Sequence, residues 1–226
     1  MNKKRFIALM GGVKRAWAVV FNGSSTNINA GSEASIDNLA DNAFTVEGYF
    51  NIVSTVAGQY FIAKRGGGAT GWNFSCTGGN LVVSVKCATT EAAITHAFTG
   101  DSKFHHFAFT FDDAGDRKLR LFTDGVLVAT GNAGVGAIVA DAADTLHIGS
   151  LLAGGSFFTG FIGWIRISNI VRYTTTFTPV SRFIYPDVDA NTVRLFKLNE
   201  GTGTTITDSS ANAQNGTLAN GTWTKK

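Results

Sequence analysis

The sequence predicts an all-β protein built as a two-sheet antiparallel sandwich, and three observations carry that expectation. Charged residues make up only 15% of the 226 residues, beside 27 Gly and 18 Phe, a balance that suits short strands separated by turns better than Lys/Glu/Leu-rich helices. Apolar and polar residues alternate with a period of two in one stretch after another, and helical periodicity is almost absent. Hydrophobic residues reach 44%, enough to fill the core of a domain of this size.

Residues 1–16 stand apart from the rest. Lys3, Lys4, Arg5, Lys14 and Arg15 are accompanied there by no acid, so the chain's formal charge of +3 divides into a basic arm and a body at −2. Phe6 to Val13 is a short apolar run that Lys14 and Arg15 interrupt before any cleavage site. It reads as a basic arm that docks on a partner, or as a frayed terminus, rather than as a secretion signal. No apolar run approaches the roughly 18 residues that cross a bilayer, which argues against a membrane partner. The small net charge gives no sign of specific nucleic-acid recognition.

Twelve strand-like segments follow in order, punctuated by Gly, Asn, Asp and Thr: Trp17 to Phe21, Phe44 to Ile52, Tyr60 to Lys64, Gly71 to Cys76, Leu81 to Cys87, Ala92 to Ala97, His105 to Asp112, Lys118 to Thr123, Val126 to Thr130, Thr145 to Gly149, Gly160 to Ser168 and Thr192 to Leu198. The fourth and fifth form a hairpin turning at Gly78-Gly79, which sets Cys76 opposite Leu81. Cys87 then lies about 20 Å along the partner strand at roughly 3.3 Å per residue, too far for a disulfide. Both cysteines are expected as reduced, buried thiols on the face shared by Trp72, Phe74, Leu81, Val83 and Val85. The firmest hairpin turns at Asp124-Gly125, since Asp-Gly supplies the positive φ angles of a tight turn, and its register sets Leu121 opposite Val128.

The two prolines, Pro179 and Pro186, mark a connector from Arg172 to Asp189 that reads equally as a domain boundary or as a strap across the sandwich. Residues 190–226, with one strand among Gly/Thr/Asn-rich turns, are too few to bury a core and should pack back on the body. The expected organisation is a 1–16 arm and a single 17–226 domain.

Four stretches carry a family resemblance. They are Val19 to Ser24 with Phe44 to Phe50; Phe104 to Asp112; Leu121 to Val126; and Gly160 to Ser168. In order and spacing they resemble the concanavalin A-like lectin/glucanase superfamily, in particular its laminin-G-like jelly-roll branch. The resemblance implies a jelly-roll sandwich. Phe104 stands where the family commonly has Trp, and Gly163 where it often has an acid, so a polar contact is missing there. Leu195 to Gly203 and Asp208 to Asn212 are similar to a segment that usually precedes the sandwich in bacterial members and here follows it. With Val171 to Pro179, that layout looks like the versions in tailed-phage virion proteins.

The same superfamily includes glycosidases, which need two carboxylates about 5–5.5 Å or 6.5–9.5 Å apart. None of Glu33, Glu47, Glu91 and Glu200 begins the Glu-x-Asp-x-x-Glu strand that the resemblance would imply, and Asp37/Asp41, Asp112/Asp116 and Asp187/Asp189 lie in turn-like stretches. There is no Gly-x-Ser-x-Gly elbow, and Gly66 to Gly71 is followed by Trp72 where a phosphate loop needs Lys. His105 and His106 point to opposite faces of one strand and cannot share a metal, and neither His96 nor His147 has a ligand at metal spacing. Calcium is the one cation left open: Asp112-Asp113-Ala114-Gly115-Asp116 offers hard oxygen ligands and is also an ordinary turn. Alternation turns Trp72 and Phe74 inward, and Tyr173 and Tyr185 fall in the connector, so no glycan site is named.

The expectation drawn is a non-enzymatic structural or decoration protein of a tailed-phage virion, a part of the capsid, tail or fibre, assembled in the bacterial cytoplasm without a cofactor. It would contact other virion proteins through the arm residues Lys3, Lys4, Arg5, Lys14 and Arg15, as a homo-oligomer or array that binds cell-surface glycan weakly and multivalently. The alternative is a secreted, extracellular carbohydrate-binding lectin-like module, with or without calcium.

Overall fold

The computed structural model describes residues 15–55, 57–67, 69–151 and 155–226. Two antiparallel sheets pack face to face as a jelly-roll sandwich, and among the described residues the single helical element is one 3-10 turn at Leu39–Asp41. The strands are β1 (Trp17–Asn22), β2 (Asn27–Asn29), β3 (Ala43–Ile52), β4 (Gln59–Lys64), β5 (Trp72–Thr77), β6 (Asn80–Val85), β7 (Ala92–Ala97), β8 (Phe104–Asp112), β9 (Lys118–Thr123), β10 (Val126–Ala133), β11 (Leu146–Ile148), β12 (Thr159–Ser168), β13 (Thr192–Phe196), β14 (Thr205–Ile206), β15 (Gly216–Ala219) and β16 (Thr222–Lys225). The first sheet runs β10-β9-β8-β3-β12-β1-β16, with β13 also paired to β12. The second runs β14-β15-β2-β11-β4-β5-β6-β7.

Alternation builds the core. Phe44, Val46, Phe50 and Ile52 of β3 and Phe107, Phe109 and Phe111 of β8 face Phe61, Trp72, Phe74, Leu81 and Val83 across the sandwich, all at most 1% exposed. The rings interlock: Phe50 stacks on Phe61 at 4.7 Å, and Phe74 lies 4.6 Å from both Phe61 and Phe107. Each such side chain contributes about 1.5–3 kcal/mol by leaving water, which is why the aromatic count is so high in a chain with little charge.

Cys76 pairs with Leu81, and both cysteines are free and buried. The Asp124-Gly125 turn is present, with φ of 50° and 80°, but Leu121 pairs with Ala129 rather than with Val128. A bulge between Leu127 and Ala129 inserts Val128 as an extra residue, which a two-residue register count cannot anticipate.

Four short strands escape the alternation reading: β2, β14, β15 and β16. The 190–226 segment thus carries four strands, not one. In it β13 joins β12 in the first sheet, β15 joins β2 in the second, and β16 joins β1 in the first. Asp208 pins this segment: its carboxylate accepts from the backbone N–H groups of Leu195, Ser210 and Gln214.

The connector is a strap over the outer face of the first sheet. Thr45 Oγ1 donates to Ile170 O at 2.7 Å and accepts from Arg172 N at 2.9 Å, while Tyr49 Oη donates to Val180 O at 2.9 Å. Phe177 N donates to Gly125 O, tying the strap to the β9–β10 hairpin, and Tyr173 stacks flat on Phe177 at 3.5 Å. Arg172 clamps the strap's far end through both oxygens of Asp189, at 2.8 and 3.0 Å.

Candidate functional site

The two outer faces of the sandwich have opposite fates. On the first sheet, the outward residues Glu47, His106, Trp164 and Arg166 are 0–7% exposed because the strap seals them. Glu47 Oε1 accepts from Arg166 Nε at 2.8 Å and Nη2 at 2.5 Å, and Oε2 accepts from Tyr173 Oη at 3.0 Å and faces His106 Nε2 at 3.3 Å. Burial pushes the Glu47 carboxyl up, but the His106 hydrogen bond and the Arg166 charge outweigh it and hold the group below the ordinary glutamate range. Tyr173 is pushed up to about 12 by burial and by Glu47, so its phenol stays protonated and donates. Acid, imidazole and phenol therefore converge in a sealed cluster whose carboxylate is tuned against acting as a general acid.

Among the described residues no strap crosses the outer face of the second sheet, yet its polar side chains are themselves nearly buried, Asn73 at 3%, Ser75 and Ser84 at 6% and Arg65 at 8% exposed. Along β4, β5 and β6 the core-facing Ile62, Trp72, Phe74, Cys76, Leu81, Val83 and Val85 alternate with outward polar or small residues. These line a depression of about 280 Å³ whose polar contributors include Tyr60, Arg65, Asn73, Ser75, Ser84 and Glu91. Arg65 Nη1 donates to Asn73 Oδ1 at 2.8 Å, Ser84 Oγ at 2.5 Å and Glu91 Oε1 at 2.6 Å. Asn73 Nδ2 donates in turn to Ser75 Oγ at 3.2 Å. Burial pushes the Glu91 carboxyl up, but hydrogen bonds from Arg65 and Ser84 hold it below the glutamate norm, so it pairs with Arg65 as a carboxylate. The result is a fixed, charge-matched polar array, with Tyr60 paired to Ser75 at the far end of the same groove. A second depression of about 610 Å³ continues this face over β2 and β15, lined by Asn27, Asn29, Asn215, Thr217 and Asn220 among others. Glu91 is the one acid lining the first depression and none lines the second, so neither holds the carboxylate pair that glycoside hydrolysis needs.

Of the arm residues, Arg15 is exposed, while Lys3, Lys4, Arg5 and Lys14 lie outside the described residues. In the Asp112–Asp116 loop, Asp112 accepts from Gly115 N, Asp113 pairs with Arg117 at 2.9 Å, and Asp116 pairs with Arg120. His105 and His106 do face opposite ways, though the inward-parity ring of His105 sits at the rim between Asp101 and Asp124 and the outward-parity ring of His106 is buried by the strap. Tyr60, Arg65, Asn73, Ser75, Ser84 and Glu91 escaped sequence reasoning. For Asn73, Ser75 and Ser84 the signal was the polar half of the alternation in Trp72 to Cys76 and Leu81 to Val85; Tyr60, Arg65 and Glu91 lie outside those stretches.

The Laminin_G_3 family model, described as Concanavalin A-like lectin/glucanases superfamily, matches residues 22–176. No curated protein matches the sequence. Among solved structures, a candidate carbohydrate-binding protein of Bacteroides ovatus superposes with a TM-score of 0.67 at 17% identity over 94% of this chain and 60% of that one. Domains LG4-5 of the mouse laminin α1 chain give 0.52 at 16% identity, over 68% of this chain and 42% of that one. The CBM40 of a Ruminococcus gnavus IT-sialidase, in complex with α2,3-sialyllactose, gives 0.50 at 15% identity, over 72% of this chain and 95% of that one. The chain thus spans less than two thirds of the Bacteroides structure and under half of the laminin one. At these identities the likeness is one of fold.

Proposed function

We propose, from the premise that the chain belongs to the concanavalin A-like lectin/glucanases superfamily, that it is a non-enzymatic, lectin-like module that holds saccharide on the outer face of its second sheet. The observation that carries this reading is the asymmetry of the two faces. One is crossed by the strap, and the other carries a shallow groove in which half-buried Tyr60 and Glu91 edge a polar array of nearly buried Arg65, Asn73, Ser75 and Ser84. Sugar recognition needs donors and acceptors plus an aromatic surface, and the groove has both in its Arg65, Asn73, Ser75, Ser84 and Glu91 array and in Tyr60. Because Arg65 is matched by Glu91, the groove favours a neutral saccharide over a sialylated one.

The carbohydrate-binding relatives support this module reading ahead of the virion role that the sequence layout put first. A virion remains a setting in which such a module would work: shallow contacts gain avidity of about 10²–10⁴ when an array presents them together. Its support is the order of the connector and the 195–212 segment after the sandwich. A glycan array probed with the full chain, alone and clustered on a multivalent carrier, tests the module reading. Binding to neutral glycans that falls at least tenfold in Tyr60→Ala and Asn73→Ala, with the thermal midpoint of Tyr60→Ala unmoved, is expected. Hits that survive both substitutions would place the ligand elsewhere, and no hit in either format would remove the reading.

A further inference from the structure

At the rim, one residue before the groove's Arg65, the side chain of Lys64 turns inward from β4 and is 0% exposed. Its ammonium is surrounded by oxygen. Asp144 O lies at 2.6 Å, Asp37 Oδ1 at 2.8 Å, Asp141 O at 3.0 Å and Ser32 Oγ at 3.2 Å, with Asp141 Oδ1 at 3.7 Å. Four oxygens within 3.2 Å compete for three N–H donors, so hydrogen bonding alone does not account for the number. Two carboxylates, two carbonyls and a hydroxyl make a mixed set of hard donors of the kind a divalent cation takes. The cage is also a hub. Asn38 N donates to Asp141 Oδ1 at 2.6 Å and Asp141 N to Asn38 Oδ1 at 2.9 Å, so loop 32–42 and loop 141–144 are locked together across the charge. Asp141 is pushed up to about 6, because burial and the nearby carboxylates outweigh what one ammonium and the Asn38 N–H return.

We propose that the Lys64 ammonium is the resident cation of this rim, filling an oxygen cage that, once vacated, takes a hard divalent cation such as calcium. The protein thereby keeps its rim loops joined without a metal. The inference stands apart from the glycan reading, since Lys64 points inward while its neighbour Arg65 joins the groove, and its readout needs no sugar.

The test compares the full chain with Lys64→Ala, Lys64→Met and Lys64→Ala/Asp141→Asn, each with chelator or with millimolar calcium chloride, by thermal unfolding and calcium titration calorimetry. The thermal midpoint of Lys64→Ala is expected to fall in chelator and to rise again with calcium at one-to-one stoichiometry. Lys64→Met, which fills the cage with an apolar chain, should bind no calcium there, and the double variant should lose the response. If Lys64→Ala folds yet binds no calcium, or fails to fold with calcium as it does without, the cage is not a cation site. If the unaltered chain itself gains stability from calcium and Asp141→Asn abolishes that gain, the ammonium is not the resident cation. Either result overturns the proposal.

Discussion

Glu47→Gln keeps the shape of the sealed cluster and removes its negative charge, which makes it the most informative single change under the strap. Arg166, 7% exposed, would be left as a buried cation without its counter-charge, and Tyr173 and His106 would lose a charged acceptor. Breaking a buried pair from one side costs about 3–5 kcal/mol. That is a large share of the roughly 5–15 kcal/mol that holds a domain folded. At an m-value near 3 kcal/mol/M, the urea midpoint should fall by about 1–1.7 M with m unchanged. Tyr173 Oη anchors the strap on Glu47, so limited trypsin should newly cut after Arg172 or Arg182. Arg166→Met alone should also destabilise, and the double variant should fall short of the summed losses by about 0.5–3 kcal/mol, the coupling expected of residues in contact. A loss below about 1 kcal/mol, with the strap still protected, would refute the account of the cluster as structural. So would a fully stable Glu47→Gln protein that had lost a hydrolytic activity of the parent, since that result would make the cluster catalytic.

Three further outcomes follow from single residues. Burial alone would push the His105 imidazole down, but Asp124 at 2.7 Å and Asp101 at 3.0 Å raise it above the ordinary histidine value, so this clamp contributes fully below about pH 6.5 and fades as pH rises through the higher folded value; a histidine titration by NMR should show the raised midpoint, and Asp124→Asn should lower it. Gly125 has a φ of +80° and a Cβ there would lie 2.0 Å from Phe177 O, whereas Gly203 at +74° has open space around it. Gly203→Ala should therefore cost about 1–2 kcal/mol from backbone strain alone and Gly125→Ala clearly more, as read by urea unfolding. The Cys76 thiol, pushed up to about 12 by burial, should resist alkylation at pH 8 in the folded protein and react once denaturant is added.

The long strands were legible because their own residues decide them. Trp72 to Cys76 or Phe104 to Asp112 alternates strongly enough that no distant contact is needed to name it. The short strands β2, β14, β15 and β16 were illegible for the opposite reason. Asn27-Ile28-Asn29 has one apolar residue, and it is a strand because β11 and β15 flank it. The bulge at Val128 shows the same limit, since register is set by the whole ladder and not by the turn alone. The groove was half legible: alternation says that Asn73, Ser75 and Ser84 share a face, but not that this face stays clear of the strap. That depends on where residues 172–189 come to rest, a hundred positions further along the chain.

The resting place of the strap itself has a local cause. The outward positions of the first sheet carry bulk and charge throughout, in Glu47, Tyr49, His106, Phe122, Trp164 and Arg166, whereas around the groove of the second sheet the small Ala63, Asn73, Ser75, Ser84 and Ala93 lie between Tyr60, Val82 and the Arg65–Glu91 pair. Rings of that size left bare would form the kind of apolar patch that a soluble domain covers, and the strap offers Tyr173 and Phe177 to Phe122 and His106 at 5.5–6.2 Å. Small polar residues call for no such cover. They leave a hollow whose hydrogen-bonding groups satisfy one another through Arg65. The outward half of the alternation, usually set aside as the solvated half, therefore decides which face of this sandwich the strap covers and which keeps a groove.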